Sequence, residues 1–261
     1  MTTLTIYQHF REEERPFIDS ILEWKSLVAE RYTPKLTDFL DPRQQHIIKA
    51  LISESDQVEV KLWGGYENAE RKRALLLPPY YDDIGVKDLG VSLLELNYSK
   101  KFVKIEHRHL LGSLMGLGLK REKFGDLLLT EDRTQLLLAE ELEDFVRLNL
   151  NQVGRHPVSC TPQSFDELVI PSVEWDERQG SVASLRLDAV LAEIYRQPRS
   201  KMTEFIKAGL VKVNWKVVEK AAYELTPGDA LSVRGFGRSR IVSIEGETRK
   251  GNLWVKFGIL N

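Results

Sequence analysis

Between Ser184 and Phe257 the hydrophobic period switches from helical to alternating, and the residues that punctuate the switch leave few folds open. Leu187, Val190, Leu191 and Ile194 fall at i, i+3, i+4 and i+7, the spacing of one apolar helix face. Ser184 suits an N-cap. Pro198 closes the connection, Ser200 is expected to cap a second helix, and Met202, Phe205 and Ile206 repeat the stripe. Gly209 then stands where a left-handed C-cap is cheapest. Two short helices with facing stripes form an αα-hairpin. Beyond it Val211 and Val213 alternate with Lys212, Asn214-Trp215 turns the chain, and Val217-Val218 returns. Thr226-Pro227-Gly228-Asp229 has the proline and glycine of a type II turn. Leu231 and Val233 lead into Arg234-Gly235, with further strands at Ile241–Ile244 and Leu253–Phe257. A small β-sheet beside a helical hairpin follows.

Charge gives this segment a chemistry. Residues 184–240 hold eleven Lys or Arg against six acids, in a chain whose formal charge is −2. Arg199 and Lys201 fall at the start of the second helix, where unpaired N–H groups and the positive dipole end favour an anion. Arginine's planar fork suits bidentate phosphate contact, and Arg186 on the first helix can face the same groove. Phosphate contacts of this kind position a polyanion without reading its sequence. Asp188 is expected to be structural, an ion-pair partner fixing the first helix. Such a concentration of cations reads as a patch.

These residues resemble the S4 RNA-binding domain, the αL-motif module. The matches are Arg186-Leu187-Asp188, Arg199-Ser200, Gly209-Leu210-Val211-Lys212-Val213-Asn214, and Gly228-Asp229 through Arg234-Gly235. The resemblance implies an RNA face lined by Arg186, Arg199, Ser200, Lys201, Lys207, Lys212, Asn214, Arg234, Gly235 and Arg238. Trp215 departs from the pattern, which commonly has glycine after the asparagine; an exposed Trp there can stack on a base.

The remainder is acidic: residues 1–183 carry 23 Lys or Arg against 31 Asp or Glu. Phe17, Ile21, Trp24 and Val28 after Pro16, then Ile47, Ile48, Leu51 and Ile52 after Asp41-Pro42, predict a helical lobe over 1–57, broken at Thr33-Pro34. Over 58–160 the expected order is strands Val58–Trp63 and Arg73–Leu77, then strand Val91–Tyr98, helix Glu106–Leu117, strands Asp126–Thr130 and Gln135–Ala139, helix Glu140–Leu150 and strand His156–Cys160. From Val91 that is the β-α-β-β-α-β order of ferredoxin-like and RRM modules. Gln135-Leu136-Leu137-Leu138 offers no aromatic for a base, so packing is the expected role of this sheet. Lys100-Lys101, Arg108 between His107 and His109, and Lys120-Arg121-Lys123 are basic spots that can extend an RNA path. Residues 161–183, with Pro162, Pro171, Glu174, Asp176 and Glu177, read as a linker to the module at 184–261. The fold class is α+β, multidomain.

Catalysis is not expected. Arg186-Leu187-Asp188 superficially matches the aspartate context of pseudouridine synthases, but the apolar Ala189-Val190-Leu191 follows. Nucleotide-binding and methyltransferase loops are absent, Gly116-x-Gly118 lacks the third glycine, His107-x-His109 has no third metal ligand at a telling spacing, and the single Cys160 excludes an intramolecular disulfide. No cofactor or metal is called for. No apolar run approaches the roughly 20 residues of a membrane span, and the charged start, with Arg11 to Arg15, lacks a signal-peptide core; a reducing cytoplasm fits. The full arrangement resembles the bacterial YlmH family across nearly the whole chain. That resemblance implies a cytoplasmic, non-enzymatic RNA-binding factor on the ribosome, with rRNA or tRNA at the large subunit as partner. The alternatives are an adaptor for a division-related protein, working through the N-terminal domains, and an RNA-modifying enzyme.

Overall fold

The computed structural model describes residues 7, 10, 12–52, 57–79, 81, 84–172, 175–248 and 251–260; the expectations placed on Arg11 and Glu174, and part of the lobe expected over 1–57, lie outside them. The chain divides into two compact units, Met1–Pro171 and Ser172–Asn261.

The first unit opens with α1 (Arg15–Arg31), which has Pro16 in its first turn and buries Ile18, Ile21 and Val28. Strand β1 (Lys35–Leu40) follows, then α2 (Pro42–Leu51), held at its start by a capping box between Asp41 and Gln44. Strands β2 (Glu59–Trp63) and β3 (Lys72–Leu77) complete an antiparallel sheet of order β1-β3-β2. The lobe expected to be helical is therefore α+β, and a division at 57/58 would separate β1 from its partner β3. Lys35-Leu36-Thr37-Asp38-Phe39-Leu40 mixes charge with apolar side chains, and only its long-range pairing with β3 makes it a strand.

The β-α-β-β-α-β order stands. It runs through β4 (Val91–Asn97), α3 (His107–Gly116), β5 (Phe124–Leu129), β6 (Thr134–Ala139) and α4 (Glu143–Asn149). A short hairpin, β7 (Gln152–Val153) and β8 (His156–Pro157), intervenes before β9 (Ser159–Gln163). The last strand thus begins three residues later than expected, because Gly154, at φ 62°, turns His156 back on Val153. The sheet order β5-β6-β4-β9, antiparallel throughout, is the ferredoxin-like one. Leu94, Leu96, Leu136 and Leu138 pack with Leu110, Leu114 and Val146 of the helices. Cys160 is buried here, and burial pushes its thiol up to about 11, far from a reactive thiolate.

In an RRM the other face of this sheet is open. Here the chain covers it. Leu93, Leu128 and Leu137 pack under Tyr66 and Leu168, and the buried Gln135 amide donates to the Glu167 carbonyl (2.8 Å) while accepting from the Val169 N–H (2.8 Å). The Tyr66 segment is fastened by Asp126 of β5, whose carboxylate accepts from the Tyr66 hydroxyl (2.7 Å) and the N–H groups of Glu70 (2.7 Å) and Arg71 (3.0 Å).

The second unit starts inside the expected linker. Strand β10 (Trp175–Val182) pairs along its whole length with β15 (Leu253–Leu260), from Trp175 opposite Leu260 to Val182 opposite Leu253. Its sequence, Trp-Asp-Glu-Arg-Gln-Gly-Ser-Val, is that of an edge strand guarded by charge, which is why it reads as a spacer. Helices α5 (Leu187–Tyr195) and α6 (Arg199–Lys207) precede β11 (Val211–Val213), β12 (Lys216–Val217), β13 (Ala230–Val233) and β14 (Gly237–Glu247). The sheet order is β10-β15-β14-β13-β11-β12. Leu187, Val190, Leu191, Ile194, Met202 and Ile206 close onto Val211, Val213, Leu231, Val233 and Phe257 as one core. Gly209, at φ 69°, takes the left-handed position past α6, and Thr226–Asp229 forms its expected turn, with Gly228 at φ 93°. Two expected caps do not form: Arg186 and Pro198 occupy the N-cap positions, and Ser200 lies within α6.

Candidate nucleic-acid interface

The start of α5 is built around one carboxylate. Asp188 is 4% exposed. It accepts from Nε and Nη2 of Arg186 (both 3.2 Å), from Nε (2.9 Å) and Nη2 (3.1 Å) of Arg199, and from the Ala189 N–H. Burial alone would raise its pKa; the hydrogen bonds and charges of the two arginines outweigh this and hold it below the usual carboxylate range. The guanidiniums stay about half exposed, so the donors that Asp188 does not use face outward in a fixed geometry. Asp188 is thus the structural clamp expected of it, and the arginines it orients are the phosphate candidates.

A second cluster lies further along the helices. Lys201 sits 5.5 Å from the Phe236 ring centre and bonds the Gln197 side chain at 2.8 Å. Phe236 packs against Tyr195 and Phe205, with ring centres 5.1 and 5.5 Å away. Its turn is bounded by exposed Arg234 and Gly235 on one side and Gly237 on the other. Gly235, at φ 86°, supplies a backbone conformation that side chains rarely adopt. Phe236, not among the expected contacts, is the platform that aligns Lys201; an aromatic between Gly235 and Gly237 is the signal that could have found it.

The expected contacts do not share one surface. Arg186, Arg199, Ser200, Lys201 and Lys207 stand on or beside the helices, with Arg234 at the adjoining turn. Lys212 lies opposite Ser232, and Ser232 opposite Arg238, a row whose neighbours Val211, Val213, Leu231 and Val233 point into the core. Lys212 and Arg238 therefore occupy the sheet face turned away from the helices. Asn214 is given a different job: its side chain donates to Asp229 (2.7 Å) and accepts from the Ala230 N–H (2.9 Å), fastening the β11–β12 turn. In that turn Asn214 and Trp215 take φ of 48° and 63°, so the glycine conformation is kept by a tryptophan. Strain of this kind costs on the order of 1–3 kcal/mol.

In the first unit most basic spots are engaged internally. Lys100 donates to the Asp132 carbonyl and pairs with Glu95. Arg121 donates to the carbonyls of Phe124 and Gly125, and Lys123 pairs with Asp38 and Glu141. Burial lowers the Arg121 guanidinium to about 10. Arg121 and Lys123 are thus held in a structural seam, while Lys120 is exposed. Lys101 and Lys104 are exposed, on either side of a Phe102 that is 88% exposed, beside an open cleft of about 400 Å³ lined by residues 97–102. Among the described residues no three His, Cys, Asp or Glu side chains are grouped to hold a metal, and no helix is long and apolar enough to cross a membrane.

Three family models match the chain: "YlmH, N-terminal" over residues 13–81, "Putative RNA-binding domain in YlmH" over 85–167, and "S4 domain" over 185–231. The chain is 49% identical over 252 residues to the ribosome-associated protein quality control protein P2 of Bacillus subtilis (strain 168), covering 97% of both chains. A solved structure, the cell division protein ylmH from Streptococcus pneumoniae, superposes with a TM-score of 0.56 at 32% identity, over 62% of this chain and 98% of that one.

Proposed function

The chain belongs to the YlmH family, and on that premise we propose that it is a non-enzymatic, ribosome-associated RNA-binding protein. Its S4 domain holds structured ribosomal or transfer RNA at the large subunit. The observation that carries the reading is the Asp188 clamp, which presents Arg186 and Arg199 together at the start of the αα-hairpin. The same geometry argues against catalysis at this aspartate, because two guanidiniums and a backbone N–H already occupy its oxygens. A ribosome-associated relative of nearly equal length supports the choice of RNA. The model matched over residues 85–167, a putative RNA-binding domain, supports the same choice, and no surface among the described residues favours the division adaptor.

The helix-side cations Arg186, Arg199, Lys201, Lys207 and Arg234 would neutralise about five phosphates. Affinity for purified large ribosomal subunits should then fall with salt at a log–log slope near ~−3.5, at about 0.7 per contact. Replacing Arg199 and Lys201 together by alanine should flatten the slope to about −2. Replacing Lys212 and Arg238, on the opposite face, should leave it unchanged. A slope near zero, or equal losses from both pairs, contradicts the reading.

A further inference from the structure

We propose that Trp215 is a base-stacking residue of the RNA site, held at the tip of the β11–β12 hairpin in a conformation that the fold itself would give to glycine. This rests on the reading of the S4 domain as the RNA-binding module. Both central residues of the turn have positive φ, the arrangement that favours Asn-Gly and penalises any bulky second residue. Asn214 is fastened on three sides, by Asp229, by the Ala230 N–H and by its own N–H to the Ala230 carbonyl at 2.7 Å. The backbone therefore has no freedom to relax the tryptophan.

Packing offsets this strain only in part. Trp215 lies outside the core of the second unit and is 37% exposed, and among the described residues no ring, cation or hydrogen-bond partner engages its indole. A large aromatic kept in a strained position without an internal partner points outward to its use. Lys216 directly follows Trp215 and places a cationic side chain beside the ring, which favours a polyanion carrying flat rings over an apolar protein surface.

The test compares the full chain with its W215G and W215F variants, measuring thermal unfolding and affinity for purified large ribosomal subunits over a range of salt. W215G should unfold about 4–8 °C higher, because strain is relieved. It should bind about 5- to 100-fold more weakly with an unchanged salt slope, since stacking is uncharged. W215F should keep part of the affinity. Unchanged affinity, a lowered unfolding temperature or a flattened slope each overturns the assignment while leaving the S4 reading intact. A loss seen on intact subunits but not on their deproteinised RNA assigns the indole to a ribosomal protein and overturns it as well. Absence of binding by the unaltered chain overturns the S4 reading and this inference together.

Discussion

Replacing Asp188 by alanine lowers the stability of the C-terminal unit by about 2–4 kcal/mol in urea unfolding, less than a fully buried pair would lose because both arginines can regain water. The isosteric Asp188→Asn variant separates charge from geometry. It makes the patch more positive, so a patch that RNA reads only as charge density would bind more tightly. If instead the orientation of the two forks matters, affinity for large subunits falls, because an amide offers one acceptor oxygen where the carboxylate offers two. We expect the fall; tighter binding would contradict the clamp. The pH dependence has a definite sign. The folded pKa of Asp188 is depressed, so its stabilisation is complete above the unfolded value near ~3.9 and is lost as pH falls through the folded one. Between pH 5 and 8 the difference between the parent and Asp188→Asn should stay constant, and it should narrow only in acid.

Removing the Asp126 carboxylate has the larger consequence for the first unit. Asp126→Ala leaves the Tyr66 hydroxyl and the N–H groups of Glu70 and Arg71 without their acceptor. At about 1–3 kcal/mol for each such group that water does not reach, a loss of roughly 3–5 kcal/mol is expected in denaturant unfolding. The segment that Asp126 fastens lies over Leu93, Leu128 and Leu137, so the variant should also bind a hydrophobic dye such as ANS under native conditions. A stable variant with no dye binding would show that Gln135 and the Glu167–Val169 segment alone keep the sheet closed.

Much of this was legible from residue patterns, and the failures share one cause. Leu187, Val190, Leu191, Ile194, Gly209 and Pro227-Gly228 announce themselves because their signals are local: a 3.6-residue period, a left-handed cap, a turn. Lys35–Leu40 and Trp175–Val182 do not, since each is a strand only by virtue of a partner far along the chain, and charge at their exposed positions mimics a loop. Site residues divide the same way. The type of chemistry was readable from Arg186, Arg199 and Lys201. Sidedness was only half readable: the alternation of Val211, Lys212 and Val213 already turned Lys212 away from the core, but placing Arg238 beside it required the register of β13 against β14. Arg121 and Lys123 looked available because sequence does not show which carbonyls and carboxylates a fold brings to a lysine or arginine.

Strand β10 redraws where this RNA-binding unit can be cut. The recurring motif begins at Arg186, and a fragment started there would lack the strand that closes one side of the sheet. β15 would become that side, presenting the buried Val255 and Phe257 along a row of unsatisfied backbone groups. A piece trimmed to the motif would thus carry a template for pairing with its own copies, and its apparent self-association or loss of RNA binding would reflect the cut. Begun at Ser172, the same unit keeps its charged outer strand and, with it, its reason to stay apart.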